Sequence, residues 1–219
     1  MPWLKRGINR LIPSVIWQPR PPLPVTLKEI PTDGIVLDLG AGGRQLAPHV
    51  VGVDFVPFPN TRVVADIHQL PFADDCVVGI LCTGTLEHLQ DPSRALWEIF
   101  RVLKPGGIVH LEVPFMQPYH RDPEDYWRWT WAGLKLFARQ HGFEEERSGV
   151  HLGPVSALNE IIIAYFQSWF RNRYIRKGID FTFSWLLFPF KYLDAAVPQG
   201  VGDMPSGVYL VGHKRNDNK

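Results

Sequence analysis

The strongest constraint on this chain is a series of short apolar runs that lack internal polar alternation and are separated by helix-like stretches. From Gly34 onward GIVLDLG, HVVGVDF, TRVVADI, VVGILCTG and IVHLEVPF follow one another, with the long SRALWEIFRVLKPGG between the last two. A strand that is apolar throughout is buried on both faces, and parallel neighbours need crossover connections, so the pattern predicts a parallel sheet covered on both sides. The long helix is expected to open at Asp91-Pro92-Ser93, which supplies a capping side chain and an early proline, and to close at Lys104-Pro105-Gly106-Gly107. Ala95, Leu96, Ile99, Val102 and Leu103 give it one apolar face. TWAGLKLFARQHGF has helical spacing with Gly142 as its stop, EEERSGVHL reads as a strand, and GVYLVGHKR as the last strand.

The 219 residues suffice for one domain with an insertion. Lys and Arg number 23 against 22 Asp and Glu, so no net field would gather a nucleic-acid backbone. Cys76 and Cys82 are the only cysteines and have no paired ligand spacing, which fits a reducing compartment and gives no zinc motif. No run reaches the roughly 20 apolar residues of a spanning helix, and no cleavage signal follows the basic N-terminus, so a cytoplasmic protein is expected. Residues 1–17 space Trp3, Leu4, Ile8, Leu11, Ile12 and Val15 as a short amphipathic helix, and the prolines between Pro13 and Pro24 predict a stiff connector. The expected division is thus 1–24 as amphipathic segment and connector, and 25–219 as the catalytic domain, with an aromatic helical insertion over 155–197.

The segment Val36-Leu37-Asp38-Leu39-Gly40-Ala41-Gly42-Gly43 carries the most chemistry. Glycines after a strand permit positive φ and let a ligand approach the backbone. A dinucleotide site would place glycine where Gln45 stands, and Asp38 ahead of the turn would repel a pyrophosphate while suiting a ligand with an ammonium group. Asp54 ends the next run, where a carboxylate can accept both hydroxyls of a ribose, and Asp66 ends the third, near where an adenine amino group could be read. Either acid alone could simply cap a turn. Together with the glycines, the three acids describe a socket for a positively charged adenosyl ligand, and S-adenosylmethionine matches it.

DLGAGG, VGVD, VVADIHQLPFADDCVVGILCTGTLEHLQDP and EIFRVLKPGG resemble the ordered motifs of class I, type 11 S-adenosylmethionine-dependent methyltransferases over roughly residues 35–115. The resemblance implies a Rossmann-like, doubly wound α/β fold: a mostly parallel seven-stranded sheet, helices on both faces and an α-helical insertion before the last strand. It also implies that Asp38, Gly40 and Gly42 line the methionine end and that Asp54 holds the ribose. Phe55 joins the cofactor set, Asp66 with Ile67 flanks the adenine, and Thr83 faces the sulfonium. Two features depart from the family pattern. Arg44 stands where many relatives have a further glycine, and only Gly43 to His49 separate the glycine turn from the second strand, leaving a first crossover helix of a turn or two at most.

Methyl transfer needs in-line approach, exclusion of water and, for some acceptors, a base. The polar and aromatic loop Pro118–Thr130 resembles a pattern of His, then Pro-x-Asp-Tyr and Arg-x-Thr, in methyltransferases found alongside glycan or lipid biosynthesis. His120 is the first choice as general base, since imidazole titrates near neutral pH, although a loop histidine equally often bonds to backbone. Asp125 and Tyr126 complete the catalytic candidates. Tyr119 and Arg128 are substrate candidates, Arg128 also being able merely to pair with Asp125. Glu87 and His88 could border the pocket. Being adjacent they are expected to point apart, so no metal site is predicted.

Residues 155–197 interleave aromatics with Arg171, Arg173, Arg176 and Lys177, a mix found at membrane interfaces and also in helical hairpins that cover a sheet or join subunits. The resulting expectation is methyl transfer to a small or lipid-linked acceptor, such as a glycan or glycolipid intermediate, with peripheral contact at the inner face of a membrane. A quinone-type aromatic acceptor and a non-catalytic S-adenosylmethionine-binding protein are the alternatives.

Overall fold

The structure is a computed structural model and describes residues 12–18, 21–120, 123–197 and 203–215. The described residues divide into two compact units, one of residues 21–115, 120, 123–149 and 208–215, the other of residues 12–18, 116–119, 150–197 and 203–207.

The first unit is built around the sheet. Its strands are β1 (Ile35–Leu39), β2 (Val50–Asp54), β3 (Val63–Val64), β4 (Val77–Thr83), β5 (Leu103–Pro114), β6 (Phe143–Leu152) and β7 (Gly207–Lys214), in the spatial order β3-β2-β1-β4-β5-β7-β6. The first five pair in parallel. β6 and β7 run antiparallel, as the bonds from Ser206 N–H to Leu152 C=O and from Arg215 N–H to Gly142 C=O require. The expected doubly wound α/β architecture with a mostly parallel seven-stranded sheet is therefore observed.

Side chains of alternate sign along β1 and β4 enter two separate cores. Leu37, Leu39, Ile80 and Cys82 pack with Ala95, Leu96 and Ile99 of α2 (Pro92–Val102) and with Leu134 and Ala138 of α3 (Trp131–Gln140). Val36, Val50 and Leu81 form the second core with Ile30 and with Leu23 and Leu27 of α1 (Leu23–Glu29). Both faces are thus covered, as continuous apolar strands demand. The Asp91 side chain accepts from Arg94 N–H at the start of α2, and the Thr130 side chain accepts from Gly133 N–H at the start of α3.

Several expectations are corrected. α2 ends at Val102, because Leu103 is buried and pairs with Val77; Lys104–Gly107 enter the sheet as an irregular stretch of β5 where the register to β4 shifts. The seven residues from Gly43 to His49 contain no helix, the span being too short to form one and still return to the sheet. β3 holds only two residues, so Asp66 lies two residues beyond its end. The boundary expected at residue 24 falls inside α1, whose Pro22 and Pro24 occupy the N-terminal positions where a missing N–H costs nothing. Residues 1–11 of the expected amphipathic helix lie outside the described residues, and residues 12–17 carry no helix.

The second unit contains the expected helical insertion: α4 (Pro154–Ser168), α5 (Arg173–Leu187) and a 3-10 stretch over Phe188–Ala196. The start of α4 lacks a cap of its own. Buried Asp194 supplies it from a distance, accepting from the N–H groups of Val155 and Ser156 and from the Ser156 hydroxyl. Trp169, Tyr174, Trp185 and Leu186 are more than half exposed. Among the described residues no helix is long and apolar enough to cross a membrane.

Candidate functional site

The strand order reverses at β1, which lies between β2 and β4, so the carboxyl ends of β1, β2 and β4 bound the crevice where open α/β sheets take ligands. β1 ends in a turn in which Gly40, Gly42 and Gly43 have φ of 70°, 57° and 81°. A Cβ on Gly40 would stand 2.3 Å from the Thr85 hydroxyl, which itself donates to Leu39 C=O. A Cβ on Gly42 would meet nothing within 4 Å, so this stretch of backbone faces open space. Asp54, at the tip of β2, fastens the turn: its Oδ2 accepts from Gly42 N–H at 2.8 Å and its Oδ1 from Val56 N–H at 2.9 Å. Each oxygen keeps a second lone pair for a further donor.

Asp38 does not stand free to receive an ammonium group. It is 1% exposed and gripped by the Arg44 guanidinium, whose Nε lies 2.8 Å from Oδ2 and whose Nη2 reaches Oδ1. A buried carboxylate left without a counter-charge would be costly, and the departure at position 44 supplies that charge. The Arg44 side chain is 36% exposed, so this side of the turn carries a guanidinium that sequence reasoning missed. Phe55 is 77% exposed and Ile67 is buried. Asp66 accepts from His68 N–H at 2.9 Å and pairs with His68 Nδ1 at 2.7 Å; the backbone bond above all holds its carboxyl below the usual range. The following loop is pinned to α2, where Glu98 accepts from Leu70 N–H and Arg101 donates to the carbonyls of Leu70 and Phe72.

The tips of β4 and β5 carry a different group of side chains. Thr83 closes β4 and is buried, with its hydroxyl unpartnered among the described residues. Glu87 lies in a 3-10 turn over Leu86–His88, is 3% exposed, and its Oε2 also lacks a partner there; burial pushes this carboxyl up. Contrary to expectation, Glu87 and His88 do not point apart. The 3-10 turn and the bond from Tyr126 N–H to Glu87 C=O fold them back, and His88 Nε2 stands 3.9 Å from Glu87 Oε1. His88 Nδ1 bonds to Glu124 C=O at 2.8 Å.

His120 packs edge-on against His88, ring centroids 4.7 Å apart. Its N–H donates to Asp125 Oδ2, and its Nε2 lies 4.0 Å from the same oxygen. Burial draws the imidazole below its ordinary pKa despite the opposing Asp125 charge. Asp125 itself is buried and held by both terminal nitrogens of Arg128; against the upward push of burial, these bonds and the His120 N–H keep its carboxyl low. Asp125 and Arg128 thus set the loop in place, while Tyr126 is exposed and its hydroxyl accepts from Gln90. Tyr119, also exposed, belongs to the other compact unit.

Comparison with known proteins bears on the family and the fold. Residues 37–111 match the family model described as a methyltransferase domain. An uncharacterized methyltransferase of Mycobacterium leprae is 29% identical over 150 residues, covering 58% of this chain and 56% of that protein. A ubiquinone/menaquinone biosynthesis C-methyltransferase UbiE of Acidiphilium cryptum is 30% identical over 117 residues, covering 51% and 41%. The chain spans about half the length of the curated relatives it matches. Among solved structures, the Burkholderia thailandensis 1,6-didemethyltoxoflavin-N1-methyltransferase with bound 1,6-didemethyltoxoflavin and S-adenosylhomocysteine superimposes with a TM-score of 0.58 at 17% identity, covering 98% and 84%. That likeness is one of fold. Residues 37–111 thus carry the match to the methyltransferase domain.

Proposed function

We propose that the chain is an S-adenosylmethionine-dependent methyltransferase acting on a small or lipid-linked acceptor. The observation that carries this reading is the open backbone at Gly42, tied to the carboxylate of Asp54 at the tip of β2, beside the switch point of the sheet. Such a surface admits a nucleoside whose ribose hydroxyls donate to the lone pairs left on Asp54. Asp66 and Ile67 flank the base. At the other end Arg44, steadied by Asp38, suits the carboxylate of the amino-acid moiety better than its ammonium, which reverses the polarity expected from Asp38 alone.

The cofactor supplies an electrophilic methyl group on a sulfonium. Thr83, with its free hydroxyl at the end of β4, borders that centre. With the cofactor bound, an acceptor oxygen would take that methyl group as the sulfonium sulfur kept the electron pair of the broken bond, and His120 would take the acceptor's proton. Asp125 and Arg128 hold His120 in position for this transfer. Support for a lipid-linked acceptor comes from the exposed aromatics of α4 and α5 beside Arg171, Arg173, Arg176 and Lys177, a combination suited to peripheral contact with a membrane. A quinone-type acceptor is favoured instead by the Acidiphilium relative's name.

Release of S-adenosylhomocysteine in the presence of sugar, carboxylate and quinol acceptors tests the proposal. Stoichiometric release with one class is expected. Binding without release in any mixture, including cell extract, would make the chain a non-catalytic binding protein.

A further inference from the structure

Glu87, His88 and His120 each offer a ligand atom, and these atoms all lie within 4.8 Å of one another. We infer that they form a binding site for a first-row divalent cation of the zinc class, with at least one coordination position open to an exogenous oxygen ligand.

Two imidazoles and one carboxylate are the donor set that such ions accept in sites that keep a free position. The buried Glu87 carboxylate has an oxygen, Oε2, with no partner among the described residues, whereas buried carboxylate oxygens are ordinarily bonded. The bond from His88 Nδ1 to Glu124 C=O fixes the tautomer that leaves Nε2 as a lone pair, and Nε2 is the nitrogen nearest Glu87. Ligating histidines are oriented in this way by a carbonyl on their other nitrogen. Gly84 keeps the carboxylate side clear: a Cβ there would sit 3.6 Å from Glu87 Oε1, and its φ of 62° disfavours any larger residue. Ligand atoms around tetrahedral zinc stand roughly 3.4 Å apart, from metal–ligand bonds of about 2.1 Å. Contraction from the present separations needs only small side-chain rotations, chiefly of His120, whose side chain is 43% exposed.

The site lies just beyond the end of β4, the strand that Thr83 closes. On the methyl-transfer reading, which this step rests on, the ion would hold the acceptor oxygen and lower its affinity for its proton, which would leave to solvent water; His120 would serve as ligand in the metal-bound protein and as base in the metal-free one.

The test uses tag-free, metal-stripped full-length protein titrated with Co2+ and followed by visible absorption, with Zn2+ competition by calorimetry. A single ion per chain is expected to bind and to be displaced by Zn2+. His120→Ala, in an exposed loop, and Glu87→Gln should each weaken binding by more than the roughly 10- to 100-fold that loss of an outer partner costs. His213→Ala, which removes an exposed histidine paired with Glu146, should leave it unchanged. Absence of Co2+ binding, or binding unaltered in both His120→Ala and Glu87→Gln, would overturn the site. Loss of Co2+ binding in a protein that still takes S-adenosylhomocysteine would remove the ion alone, whereas Co2+ binding without S-adenosylhomocysteine binding would sustain the ion and remove the methyl-transfer reading.

Discussion

The acids at the strand ends on the two sides of the crevice differ in their partners. On the β1–β2 side each acid is already engaged: Asp38 with Arg44, Asp54 with the N–H groups of Gly42 and Val56, Asp66 with His68. On the β4–β5 side buried polar atoms are left over, the Thr83 hydroxyl and Glu87 Oε2 among them. A side whose acids are already engaged is a preformed frame that a ligand can join through spare lone pairs. A side with orphaned atoms waits for something to complete it, since stable interiors rarely leave such groups unpaired. On the proposed function, the first side recognises the cofactor and the second presents the reacting group.

The largest effect is expected from Asp54→Ala, which removes two backbone bonds as well as the ribose acceptor. Charge-assisted bonds are worth about 1.5–3 kcal/mol each, so affinity for S-adenosylhomocysteine should fall by about 100-fold or more in calorimetry. An unchanged affinity would remove the frame from the account. Next comes Gly40→Ala, where positive φ and the Thr85 hydroxyl 2.3 Å from the new methyl should cost about 2–4 kcal/mol of stability in denaturant unfolding. A neutral result would show that the turn is not the rigid element described.

On the opposite side, His120→Ala should lower turnover by about 100-fold while sparing cofactor affinity. Full activity would assign the histidine to loop structure only. The smallest effect concerns pH. Glu98, which pins the loop after Asp66 to α2, has its carboxyl held below the usual range first by Arg101. Because the folded value is depressed, its stabilisation is present above the unfolded value of about 4.3 and is lost as pH falls through the folded one. Glu98→Gln should therefore be less stable than the parent by about 1 kcal/mol at neutral pH, with the gap closing in thermal unfolding below pH 4. A gap that stays constant from pH 7 to 3 would count against this pinning.

The frame was legible in the sequence because its signals are local. A glycine turn directly after an apolar run, and an acid at the end of the next, can be seen without knowing the packing, and the Asp91 cap marked the start of α2. What escaped depended on contacts between distant segments or on competing local roles. Arg44 reads as a missing glycine until its guanidinium is seen against Asp38. Glu87 and His88 look divergent in any regular element, and only the 3-10 turn and the Tyr126 N–H bring them together. The Pro22–Pro24 stretch signalled a connector, although proline is equally at home in the first turn of α1. Lys104–Gly107 looked like a helix stop, and the earlier pairing of Leu103 with Val77 had already ended the helix.

Calorimetry of the unaltered protein with S-adenosylmethionine, run beside NADH, addresses the central claim most directly. Saturable binding of the sulfonium nucleoside and none of the dinucleotide is the predicted result. A protein that takes up NADH, or ignores both, would contradict the assignment of this crevice to methyl transfer.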